Sequence, residues 1–360
     1  MSARIEYIAF VDQQKTPGVA KKVINTVKSA ENLGHDVSSK LFAPSFTSVF
    51  GFIKAVLTTK SDVLFIRFSS LLFPFLFFPL LFARLKGIKI VVDVPTPRKS
   101  VLVELKTSEL NTLVRLVKQS ISILSSSWVL WPANVVVQYA QDSRWYLWGV
   151  QRRTLIIGNG INIPESLAIA NRCWNKATPL NLIAVAQLAQ WHGYDRLIHA
   201  IHQFKQDSPS YDIKLTIVGE GDAYEPLQSL VSELNLQDNV TFTGFLSGAE
   251  LDAHFHDAHI GIASLGLYRI GLNEASVLKT REYVARGLSV IGAADDPDFA
   301  HDSQVRLMVS NSNSIDDITL LLKGLPNITL LAPQELREYA EKYLTMESKL
   351  KVILAQVDIK

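Results

Sequence analysis

Glu274 and Glu282 stand with seven residues between them, Lys279 and Arg281 lie inside that interval, and Tyr268 and Arg269 come shortly before it. Carboxylates accept hydrogen bonds from neighbouring hydroxyls of a sugar, and cations beside them offset phosphate charge. The spacing predicts a helix over about 276–286, because Gly287 followed by a short β-branched run is a C-terminal stop. The start of that helix, at Ser276, Val277 and Leu278, presents unpaired backbone N–H groups and the positive end of the dipole, a seat for phosphate. Lys279 and Arg281 near that end oppose the dipole, which is reasonable when an anion sits in front of them. A solvated amphipathic helix in an ordinary αβ unit accounts for the same residues.

The elements that must position these groups follow from pattern. Residues 260–263 and 288–293 read as short buried strands on either side of the helix. Upstream, strands are expected at 182–185, 214–218 and 240–243, the last two ending in Gly219 and in Gly244-Phe245-Leu246. Glycine at a strand end lets a ligand approach the backbone closely. A helix is expected from about residue 195. In the first half, strands at 5–11, 37–42, 62–68, 89–94, 135–138 and 154–157 alternate with helical stretches, which points to a parallel sheet covered on both faces. Asp93, at the end of one of these strands, is placed to face a reacting centre or to cap a turn.

At 360 residues, 48% hydrophobic and 19% charged, the chain is globular and long enough for two domains. One cysteine, Cys173, excludes a disulfide framework and fits a reducing compartment. The first residues read as a strand without a cationic leader, so a cytoplasmic location is expected. The net charge of +2 hides a split: residues 1–160 hold 20 Lys and Arg against 9 Asp and Glu, the remainder 16 against 25. The basic half suits an anionic surface. Nucleic acid is not expected, since the cations are scattered and no aromatic-interleaved, zinc or helix-turn-helix motif accompanies them.

From Phe68 to Ala83 no charge occurs, yet the run is short for a span and holds Pro74 and Pro79. It reads as a buried core helix or as an interfacial anchor with Arg84, Lys86 and Lys89 at the headgroups. GEGDAY and GNGINI lack the dinucleotide spacing, so no nicotinamide or flavin is expected. His254, His256 and His259 do not share a helix face, and Asp296-Pro297-Asp298 reads as a loop, so no metal is expected.

The segment Glu274 … Glu282-Tyr283-Val284-Ala285-Arg286-Gly287 resembles the donor-site element of retaining GT-B glycosyltransferases of the family-4 type, glycosyltransferase group 1. The resemblance extends over most of residues 155–350; Gly158–Pro164 is similar to the family's interdomain linker, and Trp191–Arg196 to a subset of bacterial surface-polysaccharide transferases. It implies two Rossmann-like domains facing a cleft: 1–160 for the acceptor, 161–341 for the donor, and a final helix (about 342–360, with Met346 where an aromatic is usual) crossing back to the first. Glu282 would hold the ribose and Glu274 the sugar and β-phosphate, with main chain at Gly244–Leu246 around the base and Gly219 beside it. Gly18 and Lys21, with Lys15 and Lys22, would border the acceptor, although the usual double glycine is missing. Two departures stand out. Gln187 and His192 occupy the places of the family's diphosphate Arg and Lys, and the loop holding Asp93, Thr96 and Arg98 has no histidine, His35 being the only one before residue 192. The charge is then expected from Arg269, Lys279 and Arg281, with His192 as a neutral donor or a cation. The implied activity is transfer from a nucleotide-diphosphate sugar, a UDP-hexose, to a lipid-linked glycan at the inner leaflet, with no cofactor. The alternative is a catalytically silent nucleotide-sugar-binding subunit; an epimerase is a third class, for which no carboxylate–histidine set is evident.

Overall fold

The computed structural model describes residues 2–359 other than 13–15, 71, 96, 99–100, 103–104, 106–110, 165–166, 171–173, 176, 208–209 and 300–303; Lys15, Thr96 and Cys173 therefore lie outside the described residues. The chain divides into two units, Met1–Asn162 with Met346–Lys360, and Ile163–Thr345.

The first unit is built on six parallel strands: β1 Arg4–Phe10, β2 Asp36–Phe42, β3 Val63–Arg67, β4 Lys89–Val94, β5 Val135–Gln138 and β6 Thr154–Ile156, in the order β2-β1-β3-β4-β5-β6. Val63, Leu64, Phe65 and Ile66 of β3 are all buried, the near-continuous apolar run of a strand covered on both faces. One face packs against the helices Phe46–Thr58 and Phe73–Leu85 through Phe52, Val56, Leu76 and Leu80. The other packs against Pro17–Asn32 and the final helix Met346–Ala355 through Val23, Met346, Leu350 and Ile353. Gly18 lies in the first turn of Pro17–Asn32, not in the preceding loop, because Pro17 supplies the preset φ of a helix start. The final helix begins at Met346, not at about 342: Pro333–Tyr339 runs into a π turn at Ala340–Leu344, and Thr345 is extended before Met346.

The second unit repeats the layering with β7 Leu180–Val185, β8 Ile213–Val218, β9 Val240–Gly244, β10 Ile260–Ile262, β11 Ser289–Gly292 and β12 Arg306–Met308, all parallel, in the order β12-β11-β10-β7-β8-β9. The apolar run 68–83 becomes the helix Phe73–Leu85, which is both core and surface: Phe73, Leu76, Leu80 and Ala83 are buried, Phe75, Phe78 and Phe82 exposed. Among the described residues no helix is long and apolar enough to cross a membrane.

Candidate functional site

A pocket of about 600 Å³ opens at the carboxyl ends of β7, β8 and β9 in the second unit. The end of β7 and the turn after it supply Val185, Ala186 and Gln187, the end of β8 and its turn Val218 to Gly221, and the turn after β9 Phe245 and Leu246. This is the edge at which open parallel sheets bind ligands, and the volume suits a small organic molecule. The glycines are required by packing. A Cβ at Gly219 (φ +123°) would fall 1.9 Å from the Ala186 carbonyl oxygen, and one at Gly221 (φ +146°) 2.3 Å from that of Leu188. With no side chain there, the two strand ends close on each other and leave backbone facing the pocket. Phe245 is exposed at the mouth, where its ring can lie against a flat heterocycle.

Gln187, Gly219, Phe245 and Leu246 thus come together, and Gly244 adjoins them: its carbonyl accepts from Gly219 N at 2.7 Å. Glu220 and Gly221 also line the pocket, a contribution that the GEGD spacing does not announce.

A second group of residues meets the pocket wall at β7. The helix Leu278–Ala285 starts two residues later than the spacing suggests, with Val277 as its N-cap and Ser276 outside it. Tyr283, buried on that helix, accepts a hydrogen bond from the backbone N–H of Val185 at 2.8 Å. One turn earlier on the same face, Lys279 Nζ reaches the Tyr194 hydroxyl at 3.1 Å. Burial pushes the Lys279 ammonium down to about 7. His192 stacks on Tyr194, with ring centroids 5.5 Å apart. Burial first, and the Lys279 charge second, lower His192 to about 3, against the raising effect of its backbone hydrogen bond. His192 is therefore neutral at physiological pH and does not act as a cation. Its Nδ1 accepts from Ala189 N at 3.1 Å, which assigns the proton to Nε2 as a donor. Neither Tyr194 nor Tyr283 carries a sequence signal beyond an aromatic at a helical position.

The other cations are otherwise engaged. Arg281 is fully buried and bidentate to Asp296 at 2.7 and 2.8 Å, with Asp298 at 2.5 Å. It does not face an incoming phosphate, and Asp296-Pro297-Asp298 is its clamp instead of a plain loop. Arg269 is held by both oxygens of Asp195 (2.9 and 2.7 Å) and by the Gln190 carbonyl at 2.7 Å, so its charge is already compensated. Among the described cations of this helix and the turn before it, Lys279 alone has no carboxylate partner.

Glu282 has a side chain 47% exposed and lies 3.4 Å from Arg286, which also pairs with Asp252 at 2.7 Å. Glu274 forms an isolated parallel bridge with Asp295, and Ala275 N donates to the Asp295 carbonyl at 2.8 Å, fixing the strand-like entry to the helix. His259 does structural work: its Nδ1 accepts from Asn181 N at 2.9 Å, tying β10 to β7.

In the first unit Asp93 does not stand open at the strand end. It is buried, accepting from Tyr7 Oη at 2.8 Å and Arg67 Nη1 at 3.1 Å, with Lys22 Nζ at 4.0 Å. Burial alone would raise its pKa, but Lys22, Arg67 and the hydroxyls of Tyr7 and Tyr139 outweigh that and hold it below the ordinary value. Burial lowers Lys22 to about 8. Arg98 is likewise buried, donating to the carbonyls of Ser125, Ser126 and Tyr146. Lys21 is exposed.

Two six-stranded parallel layers, with a ligand-sized pocket at the strand ends of the second, are the architecture of GT-B glycosyltransferases. The chain aligns over 98% of its length with 99% of the lipopolysaccharide outer core galactosyltransferase WaaB (TM-score 0.66, 11% identity). It aligns over 99% with 99% of Alr3699/HepE from Anabaena, solved in complex with UDP-glucose (TM-score 0.61, 14% identity). At such identities the likeness establishes the fold. Residues 174–301, a stretch that includes Glu274 to Gly287, match the model of the glycosyl transferases group 1. Over 115 residues the chain is 29% identical to the putative colanic acid biosynthesis glycosyltransferase WcaL of Escherichia coli K12, a stretch that is 32% of this chain and 28% of that relative.

Proposed function

We propose that this protein is a retaining glycosyltransferase that moves a sugar, a hexose carried on UDP, to a lipid-linked glycan at the inner face of the cell membrane, in bacterial surface polysaccharide synthesis. The carrying observation is the pocket at the ends of β7, β8 and β9 with Lys279, Tyr194 and His192 joined to its wall through Tyr283 and Val185. Phe245 and the main chain at Gly244–Leu246 hold the base, and Glu282 the ribose hydroxyls. Glu274 and the N–H groups at Ser276, Val277 and Leu278 hold the sugar and β-phosphate. As the bond from the anomeric carbon to the diphosphate oxygen breaks, negative charge grows on the leaving group, and a cation positioned for it lowers the barrier. Lys279 supplies that cation, and His192 Nε2 a neutral hydrogen bond. No protein nucleophile is assigned: the acceptor hydroxyl attacks the anomeric carbon from the leaving-group face, its proton passes to the departing diphosphate oxygen, and the configuration is retained. No metal is required.

The test is transfer of radiolabelled sugar from UDP-glucose and other UDP-hexoses to extracted lipid acceptor, with calorimetry of UDP binding alongside. Glu274→Ala, Glu282→Ala and Lys279→Ala should each lower transfer by roughly 10²-fold or more. Undiminished turnover in all three would remove the assignment. The second reading, a silent nucleotide-sugar-binding subunit, is favoured by the uncharged Gln187 and His192. UDP-sugar binding without turnover on any acceptor would select it.

A further inference from the structure

The first unit carries an apolar surface that its own core does not use. The helix Phe73–Leu85 turns Phe75, Phe78, Phe82 and Leu85 outward, a ridge at i, i+3, i+7 and i+10, with Phe78 75% exposed. The helix Thr112–Leu124 is reversed relative to an ordinary surface helix. Its buried residue is Ser122, while Leu113, Leu116, Val117, Ile123 and Leu124 face out, Leu124 at 72%. Trp131, Trp145 and Trp148 are exposed too, the first and last with ring centroids 5.8 Å apart.

These segments are continuous. Trp128 packs on Phe77 at 5.4 Å and donates its indole N–H to the Leu124 carbonyl at 2.8 Å, while Arg84 Nη1 donates to the Trp131 carbonyl at 3.1 Å. Among the described residues of these segments the exposed charge has one sign, Glu104 and Glu109 lying outside the described residues. Neither 110–141 nor 143–164 contains an Asp or Glu, and the nearby Asp93 and Asp142 are buried beside Arg67 and Arg98 respectively. Arg84, Lys86, Arg115, Lys118 and Arg144 belong to these segments, and Lys86 lies over the Phe82 ring at 4.3 Å.

Exposed apolar area on this scale needs a cover. Cations with no acidic counterpart among the described residues call for an anionic one, and tryptophan, apolar with one N–H, prefers headgroup depth. Helices of 13 residues are too short to span a bilayer but suited to lying in its surface. We infer that this face docks on an anionic lipid bilayer, with both helices in the interfacial plane and the three tryptophans at headgroup level. The inference rests on the lipid-linked acceptor proposed above and deepens it by assigning the surface that holds the enzyme at its substrate.

The experiment is flotation of the purified full chain with large unilamellar vesicles of phosphatidylcholine alone or with one quarter phosphatidylglycerol, in the absence of donor and acceptor. The wild type should float with the anionic vesicles, less so at high salt, and brominated lipid should quench its tryptophan fluorescence. A double variant, Leu116→Glu with Leu124→Glu, should lose more than tenfold in partitioning while keeping its far-ultraviolet dichroism and melting temperature. Arg115→Gln with Lys118→Gln, which leaves the apolar face intact, should cost roughly fivefold per charge on anionic vesicles only. A wild type that ignores both vesicle types, or a Glu double variant that floats as well as wild type, overturns the inference. So does a wild-type dimer that ignores lipid and that the Glu variant makes monomeric, which would give the face to a second copy. None of these readouts requires UDP-sugar binding or transfer, so failure of the enzymatic reading is seen separately.

Discussion

At the residue scale, the arginines and the lysine beside the pocket do opposite kinds of work. Arg281 sits between Asp296 and Asp298 with no access to solvent, and removing one partner from such a site leaves buried carboxylates uncompensated. Arg281→Ala should therefore cost about 3–5 kcal/mol in urea denaturation. Glu282→Ala should stay within about 0.5 kcal/mol while weakening UDP-glucose binding, because that carboxylate is half exposed. Lys279 shows a conflict between stability and binding. Its folded-state value near 7 lies below the ordinary lysine value, so between the two the unfolded chain binds more protons and stability rises with pH. Lys279→Met should accordingly raise the melting temperature at pH 6–7 and abolish donor affinity. In the wild type, UDP-glucose affinity should be flat below pH 7. Above it the affinity should fall by up to tenfold per pH unit, until the raised value of Lys279 in the complex is reached. His192, already neutral throughout that range, adds nothing to the profile. A pH-independent affinity between 6 and 9 would exclude Lys279 from the diphosphate.

At the element scale, the pocket depends on how closely β7 and β8 end together. Gly219→Ala would drive a methyl group into the Ala186 carbonyl, so the strand end must shift by more than an ångström and UDP binding should be lost, as calorimetry would show. Tyr283→Phe is milder: it removes one hydrogen bond to Val185 N, costing about 1 kcal/mol, and loosens the helix that carries Lys279 and Glu282. Much of this level was legible beforehand. The strands ending at Gly219 and Gly244, and a helix stopped at Gly287, follow from glycine placement and short β-branched runs. The helix start was less legible: Ser276 looks like a cap, but Glu274 is bridged to Asp295, which keeps the chain extended to Val277.

At the scale of the whole molecule, the chain returns to its first unit after completing the second. Met346 N donates to the Ile161 carbonyl at 2.9 Å, and Met346, Leu350, Ile353, Leu354 and Val357 enter the core beside Pro17–Asn32. Each such side chain contributes about 1.5–3 kcal/mol on burial, and five together rival the net stability of a domain. Deleting residues 346–360 should therefore expose the first unit to limited proteolysis while UDP binding by the second survives. A truncated chain as protease-resistant as the intact one would show that the helix is an accessory.

By itself the sequence determined the alternation of strand and helix, the place of the glycines, the charge split and the candidate pair Glu274 and Glu282, because periodicity, chain reversal and composition are local properties. It could not apportion the cations. Arg269, Lys279 and Arg281 look equivalent in a string of letters. Only folding brings Asp195, Asp296 and Asp298 to the two arginines and leaves Lys279 beside Tyr194 and His192. The same holds for Asp93, whose role changes when Tyr7, Arg67 and Lys22 close around it. The physical reason is common to these cases: the state of a charge is set by burial and by partners distant in sequence, and both exist only once the layers have packed.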